Sequence, residues 1–278
     1  MPQPVRIGRY EVVEVIELDG PMGVTYKAHD PVFGRPVSLK LQTSNLVDSA
    51  EVRECFRAVS ALQHPAIEAV YELGEHDGRP YIAMEYVQGQ PLEQTIRSGV
   101  SLSLSEKLGI ILQVAKALHH AYDRGIVHHD IEPGNIMLMR DGNVKIVGFD
   151  IAYFNVQAMK RTRMIIGTVA YMSPEQLNFQ PVDARSAIFS LGVVLYQLLA
   201  GKLPFEAAST AEVVLKILRE SPAPLSRFGI VKARELQPFV DRLLAKERAE
   251  RYQNWLKVVE DLDSIRQKLQ DQPQLAGS

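Results

Sequence analysis

The feature that most constrains the fold is a change of texture at "QGQP", residues 88–91. Ahead of it run short, β-branched stretches interrupted by glycine and proline. Behind it, long stretches carry apolar residues at helical spacing. Strands followed by helices, without alternation, predict an α+β protein with sheet and helices segregated. "YEVVEVIEL" (10–18), "GVTYKAHD" (23–30) and "PVSLKLQ" (36–42) read as strands. A helix follows with Val52, Phe56, Val59 and Leu62 on one face. "IEAVYELGEH" and "RPYIAMEYV" form a further strand pair joined by the turn "EHDG". Beyond residue 91, helical patterns end at Gly125 and Gly201, each placed as a glycine just past a helix C-terminus. Further helices are predicted near 209–220, 235–245 and 254–268. The division expected is a sheet lobe with one main helix over 1–87, a helical lobe over 88–270 and a tail over 271–278. The cleft between the lobes is the natural ligand site.

At 278 residues the chain is long enough for two lobes with proper cores. A net charge of −2 leaves no electrostatic footprint for nucleic acid or an anionic membrane. Cys55, the sole cysteine, forms no intramolecular disulfide and fits a reducing compartment. "MPQPVRIG" lacks a hydrophobic signal core. The most apolar stretch, 186–201, is shorter than a membrane span and contains Gln197, which reads as a buried core helix. The expectation is a cytoplasmic domain without a membrane segment.

"GPMGVTYKAHDP", "PVSLK", "PYIAMEYVQGQPL", "GIVHHDIEPGNIML", "GTVAYMSPEQ" and "VDARSAIFSLGVVLYQLLAGKLPF" follow one another along the chain. In these segments, at this order and spacing, residues 10–265 resemble the protein kinase family, especially bacterial-type serine/threonine kinases. The resemblance implies a small antiparallel sheet lobe with one main helix over a larger helical lobe. In such a cleft the protein chiefly positions groups and neutralises charge during phosphoryl transfer.

The resemblance implies a nucleotide site at Gly20, Gly23, Thr25, Lys40, Glu85 and Val87. Leu18 stands where the family's glycine-rich loop has its first glycine, Thr25 where it has a valine, and Pro21 removes an N–H donor. Lys40 matches the lysine that pairs with the α- and β-phosphates. Counting back from "QHP" places Cys55 at the position of that lysine's helix glutamate, and a one-residue shift that restores Glu54 is the rival alignment. In "HHDIEPGN", Asp130 matches the base for the substrate hydroxyl and Asn135 a metal ligand. His129 replaces the family's arginine, and Glu132 replaces the lysine that steadies the γ-phosphate. His128 matches the family's packing histidine, so His119, His120, His128 and His129 are not read as a metal site.

In "VGFD", Gly148 occupies the place of the metal-binding aspartate. A carboxylate follows at Asp150, roughly 6–7 Å further along an extended backbone. Ala187 replaces an aspartate that would hold the catalytic loop from below. Glu175 and Arg251 match the ion pair that ties the activation segment, 148–175, to the helical lobe. Thr162 lies among Lys160, Arg161 and Arg163, which read as a solvated loop, with phosphorylation by another kinase as the alternative.

Loss of a preorganised electrostatic stabiliser costs ~10²–10³ in kcat, so losing both the metal aspartate and the γ-phosphate lysine costs roughly 10⁴–10⁶ if the effects are independent. The function expected from these losses is a pseudokinase scaffold. It would bind another kinase or signalling protein, with ATP as the one candidate cofactor, Mg²⁺ weakly held and no dedicated metal site. The alternatives are an atypical active ATP-dependent serine/threonine kinase and a nucleotide-sensing module.

Overall fold

A computed structural model describes residues 5–20, 23–41, 56–149 and 168–270. Cys55, Glu54, Pro21, Asp150 and Thr162 lie outside the described residues.

The N-terminal part is a sheet of β1 (Arg6–Ile7), β2 (Tyr10–Gly20), β3 (Gly23–Asp30), β4 (Arg35–Leu41), β5 (Val70–His76) and β6 (Arg79–Glu85). Its order is β1-β2-β3-β4-β6-β5, with neighbouring strands antiparallel throughout. Alternation along β3 and β4 buries Ala28, Val37, Leu39 and Leu41, which pack with Ile7, Tyr10, Tyr81 and Ala83. The "EHDG" turn joins β5 to β6 with both Asp77 and Gly78 at positive φ, the conformation a tight hairpin connection demands. Residues 56–60 are helical.

The C-terminal part is helical. It comprises α1 (Leu92–Arg97), α2 (Leu104–Tyr122), α3 (Pro174–Leu177), α4 (Ala184–Ala200), α5 (Thr210–Arg219), α6 (Ala233–Leu243) and α7 (Trp255–Gln270). A small second sheet of β7 (Gln90–Pro91), β8 (Ile136–Leu138) and β9 (Val144–Ile146) lies against it. A capping box starts α2: the Ser103 hydroxyl accepts from the Glu106 amide, and the Glu106 carboxylate accepts from the Ser103 amide. Gly201, at φ +69, ends α4 in the left-handed conformation.

Almost every residue of α4 is buried, which explains a sequence apolar all round its circumference. Gly192 permits that packing, because a Cβ there would meet the Leu243 Cβ at 2.7 Å. The larger core joins α2, α4, α6 and α7, and it also takes in Val59, Leu62, Ala66 and Ile67. This two-part α+β architecture matches the fold expected from the sequence. No helix among the described residues is long and apolar enough to cross a membrane.

Candidate active site

The junction of the two parts is stitched by backbone. Ile146 N donates to Ala66 O at 2.9 Å and Glu68 N donates to Ile146 O at 2.9 Å. Strand β9 is thereby fixed against the segment that leads into β5. On its other side, Val147 N donates to Asn135 O at 3.0 Å, which joins β9 to the loop 128–135.

That loop holds the catalytic candidates. His128 is buried, its Nε2 lies 3.0 Å from Val147 O, and its ring meets Phe149 edge-on at 4.6 Å between centroids. Its Nδ1 accepts from Asp130 N at 3.2 Å, so the packing histidine also shapes the turn that presents Asp130. Asn135 Nδ2 donates to Asp130 O at 2.8 Å and more weakly to Oδ2 at 3.4 Å. Burial lifts the Asp130 carboxyl above the usual carboxylate range, against the pull of His128 and the Asn135 amide. A carboxylate with a raised pKa accepts a proton more readily than an exposed one, as a general base requires.

Glu132 is half-buried beside it. Burial, opposed by a hydrogen bond with Thr168 and reinforced by the Asp130 charge, raises its pKa. The repulsion expected at this position is therefore relieved at a higher pH than for a solvated glutamate.

Gln176 Nε2 donates to His129 O at 2.9 Å. Ala187 is buried, and this contact holds the loop from α3 by a side chain the sequence reading did not single out. Below it, Arg251 Nη1 and Nη2 meet Glu175 Oε1 and Oε2 at 2.7 and 2.9 Å, with the Ser186 hydroxyl 2.6 Å from Oε1. The sequence had paired these two residues, and the structure joins them.

The roof of the cleft is the β2–β4 surface. Leu18 and Gly20 lie in β2, and Gly20 pairs with Gly23, whose φ of +124 suits glycine. Thr25 on β3 lies directly opposite Lys40 on β4, so both side chains share one face of the sheet. Both are buried, and Thr25 Oγ1 has no hydrogen-bond partner among the described residues. A buried hydroxyl left unmet is costly, and a polar ligand beside Lys40 would supply the missing partner. Glu85, at the end of β6, spends its carboxylate on Lys145 Nζ at 2.6 Å and Ala69 N at 3.2 Å, and its amide on Ala69 O at 2.8 Å. Val87 follows immediately in the connection to the helical part.

These groups fit a nucleotide with a divalent cation. Asn135 commits its amide nitrogen to Asp130, which leaves Oδ1 as the oxygen suited to a hard cation. Among the described residues, no three His, Cys, Asp or Glu side chains form a group able to hold a metal ion. A Mg²⁺ ion brought in with a nucleotide would take part of its coordination from phosphate oxygens, as Mg²⁺ commonly does. At Gly148 the φ is +85, and its buried amide donates to Glu68 Oε2 at 3.3 Å. Glu68 was missed in the sequence; its signal was a charged residue inside the apolar run "AIEAV".

Residues 14–261 match the family model described as the protein kinase domain. The chain belongs to the protein kinase family. It is 37% identical over 254 residues to the serine/threonine-protein kinase PksC of Streptomyces coelicolor, covering 86% of this chain and 45% of that protein. It is 36% identical over 265 residues to the serine/threonine-protein kinase PknB of Mycolicibacterium smegmatis, covering 91% of this chain and 42% of the relative. It is 33% identical over 272 residues to the serine/threonine-protein kinase PrkC of Bacillus subtilis, covering 94% of this chain and 42% of the relative. The kinase domain thus spans less than half the length of each of these relatives.

The pseudokinase scaffold expected from the sequence is corrected by these matches. Proteins named as serine/threonine kinases are 33–37% identical to this chain over 86–94% of its length, and they favour the active-kinase alternative. The physical reason for the error is that each lost side chain was counted alone. The structure surrounds the altered positions with others: Gln176 at the loop, Glu68 beside residue 148, and a Glu132 with a raised pKa.

Proposed function

We propose that this chain is an atypical, active, ATP-dependent serine/threonine protein kinase. The observation that carries the reading is the buried turn in which Asn135 grips Asp130 while His128 holds its amide. In the reaction, Asp130 accepts the proton of a serine or threonine hydroxyl as that oxygen attacks the γ-phosphorus. The bond between the γ-phosphorus and the β,γ-bridging oxygen breaks, and ADP leaves. Lys40 steadies the α- and β-phosphates, Thr25 meets the nucleotide from the roof, and the Glu85 carbonyl and the Val87 amide receive the adenine edge. Asn135 Oδ1 would hold the Mg²⁺ that accompanies ATP, which neutralises charge developing on the phosphate oxygens.

The test is transfer of labelled phosphate from ATP to a generic serine/threonine substrate, with Mg²⁺ or Mn²⁺. Asp130→Asn is expected to reduce incorporation by about 10²-fold or more, the contribution of a positioned base. Wild-type incorporation no greater than that of Asp130→Asn with either metal overturns the reading.

A further inference from the structure

Two histidines meet where the sheet part joins the helical part. His64, in the segment leading to β5, and His120, near the end of α2, have ring centroids 4.9 Å apart and planes tilted by 49°. In both rings Nδ1 is an acceptor. That of His64 takes the Ala66 amide at 3.1 Å. That of His120 lies 3.3 Å from Arg124 Nη1, a group that can only donate. Arg124 Nη1 is also bonded to the His120 carbonyl at 3.1 Å, which keeps the guanidinium in place. Both bonds need an unprotonated Nδ1, so they hold only while the rings are neutral. Backbone ties the pair to the joint. Ala66, whose amide His64 holds, accepts from Ile146 N through its carbonyl at 2.9 Å, and Glu68 N donates to Ile146 O at 2.9 Å. A change at the His64 ring therefore passes through one residue to the bonds on β9.

We propose that His64 and His120 form a proton-sensitive latch on this joint, closed while both rings are neutral and released when either gains a proton. An imidazolium has no acceptor, because both of its nitrogens donate. Turning the ring over therefore does not restore the bond to Ala66 N or to Arg124. Ala66 is buried, and its amide is then left unmet. A charged ring at this separation is also repelled by Arg124 and by a charged neighbour. Among the described residues, the other charged or titratable groups acting on the pair are Lys145 on β9, His119 and Asp123. Lys145 opposes the charged form of His64, His119 opposes that of His120, and Asp123 alone favours it. Burial is the largest influence and, with these charges, holds both histidines below the ordinary value. The contribution of the latch to stability is present in full above the unfolded histidine pKa and is lost as pH falls through the lowered folded values. The joint sets the sheet that carries Lys40 against the loop that carries Asp130, so its release loosens the cleft between them. The latch itself belongs to the backbone and stands whether or not the chain transfers phosphate.

Amide hydrogen exchange, read by NMR from about pH 8 to about pH 5, covers the span in which histidines change charge. Protection factors of the Ile146 and Glu68 amides are expected to fall about tenfold or more in the wild type, a factor of ten for each unit by which folding displaces a histidine pKa. The amide of Val194, in the middle of α4, is expected to keep its protection, which separates release of the joint from unfolding of the molecule. The comparison is His64→Asn with His120→Phe. The first replacement keeps a short acceptor for an amide two residues on, the second keeps a ring in place, and neither titrates. Protection at Ile146 and Glu68 is then expected to stay flat over the same span. The wild-type imidazoles give a second measurement that needs no variant: their proton uptake, followed through the nitrogen shifts, is expected to share its midpoint with the loss of protection. Wild-type protection that does not change with pH overturns the proposal. So does an equal fall in the double variant, an equal fall at Val194, or a midpoint displaced from that of both rings.

Discussion

Asp130 and Glu132 are neighbouring carboxyls, each with a pKa raised chiefly by burial. They affect the reaction in opposite ways. In the proposed reaction Asp130 works deprotonated, so activity is expected to fall as pH drops through its raised pKa. Deprotonated Glu132 stands where an incoming γ-phosphate is repelled. Glu132→Lys removes one negative charge, adds a positive one, and so favours the ionised form of Asp130. Steady-state kinetics are expected to show kcat/KM for ATP rising about tenfold or more, a conservative share of what one electrostatic stabiliser contributes. The acid limb of the pH–rate profile is expected to move to lower pH. A limb that stays in place shows that Glu132 does not couple to the base. Both carboxyls were legible in the sequence as motif positions, but their pKa shifts were not, because burial is a property of what folds over them.

At the scale of elements, the decisive contact ties α3 to the loop before α7. Arg251 is fully buried, and its guanidinium is satisfied by Glu175 and by the carbonyls of Ala245, Arg185 and Lys246. Burial alone would raise the Glu175 pKa, but the Arg251 hydrogen bonds and charge, with the Ser186 hydroxyl, outweigh it and hold it below the usual range. The pair therefore contributes stability above the unfolded pKa of Glu175 and loses it as pH falls through the depressed folded value. Removing one partner strands a buried charge, so Arg251→Met is expected to cost about 3–5 kcal/mol in urea unfolding, while Arg251→Met with Glu175→Met recovers much of that loss. A single variant within 1 kcal/mol of wild type contradicts the arrangement. The spacing of "SPEQ" and "RAERYQN" made this pair readable in advance. Gln176, one residue further along α3, was not readable, because its partner is a backbone carbonyl that no side-chain pattern marks.

Over the whole molecule, a small sheet core and a large helical core are separate clusters, joined where residues 66–69 meet β9 and Glu85. Lys145 completes the joint through its ion pair with Glu85 at the end of β6. With Lys145→Met, Glu85 keeps only the Ala69 amide for its carboxylate. Unfolding free energy is expected to fall by about 1–2 kcal/mol, as for a charged hydrogen bond partly shielded from water. KM for ATP is expected to rise, since Glu85 and Val87 belong to the proposed nucleotide site. Unchanged stability and KM together mean that the two parts are fastened elsewhere. The sequence by itself determined the segregation of strands from helices, the helix end at Gly201, and the order of the motifs, because periodicity, capping and turn chemistry are local. Only the tertiary structure decided that Glu68 stands at Gly148 and that Gln176 holds the catalytic loop. Those contacts bridge 80 and 47 residues, and the chain encodes them through packing, with no local pattern to announce them.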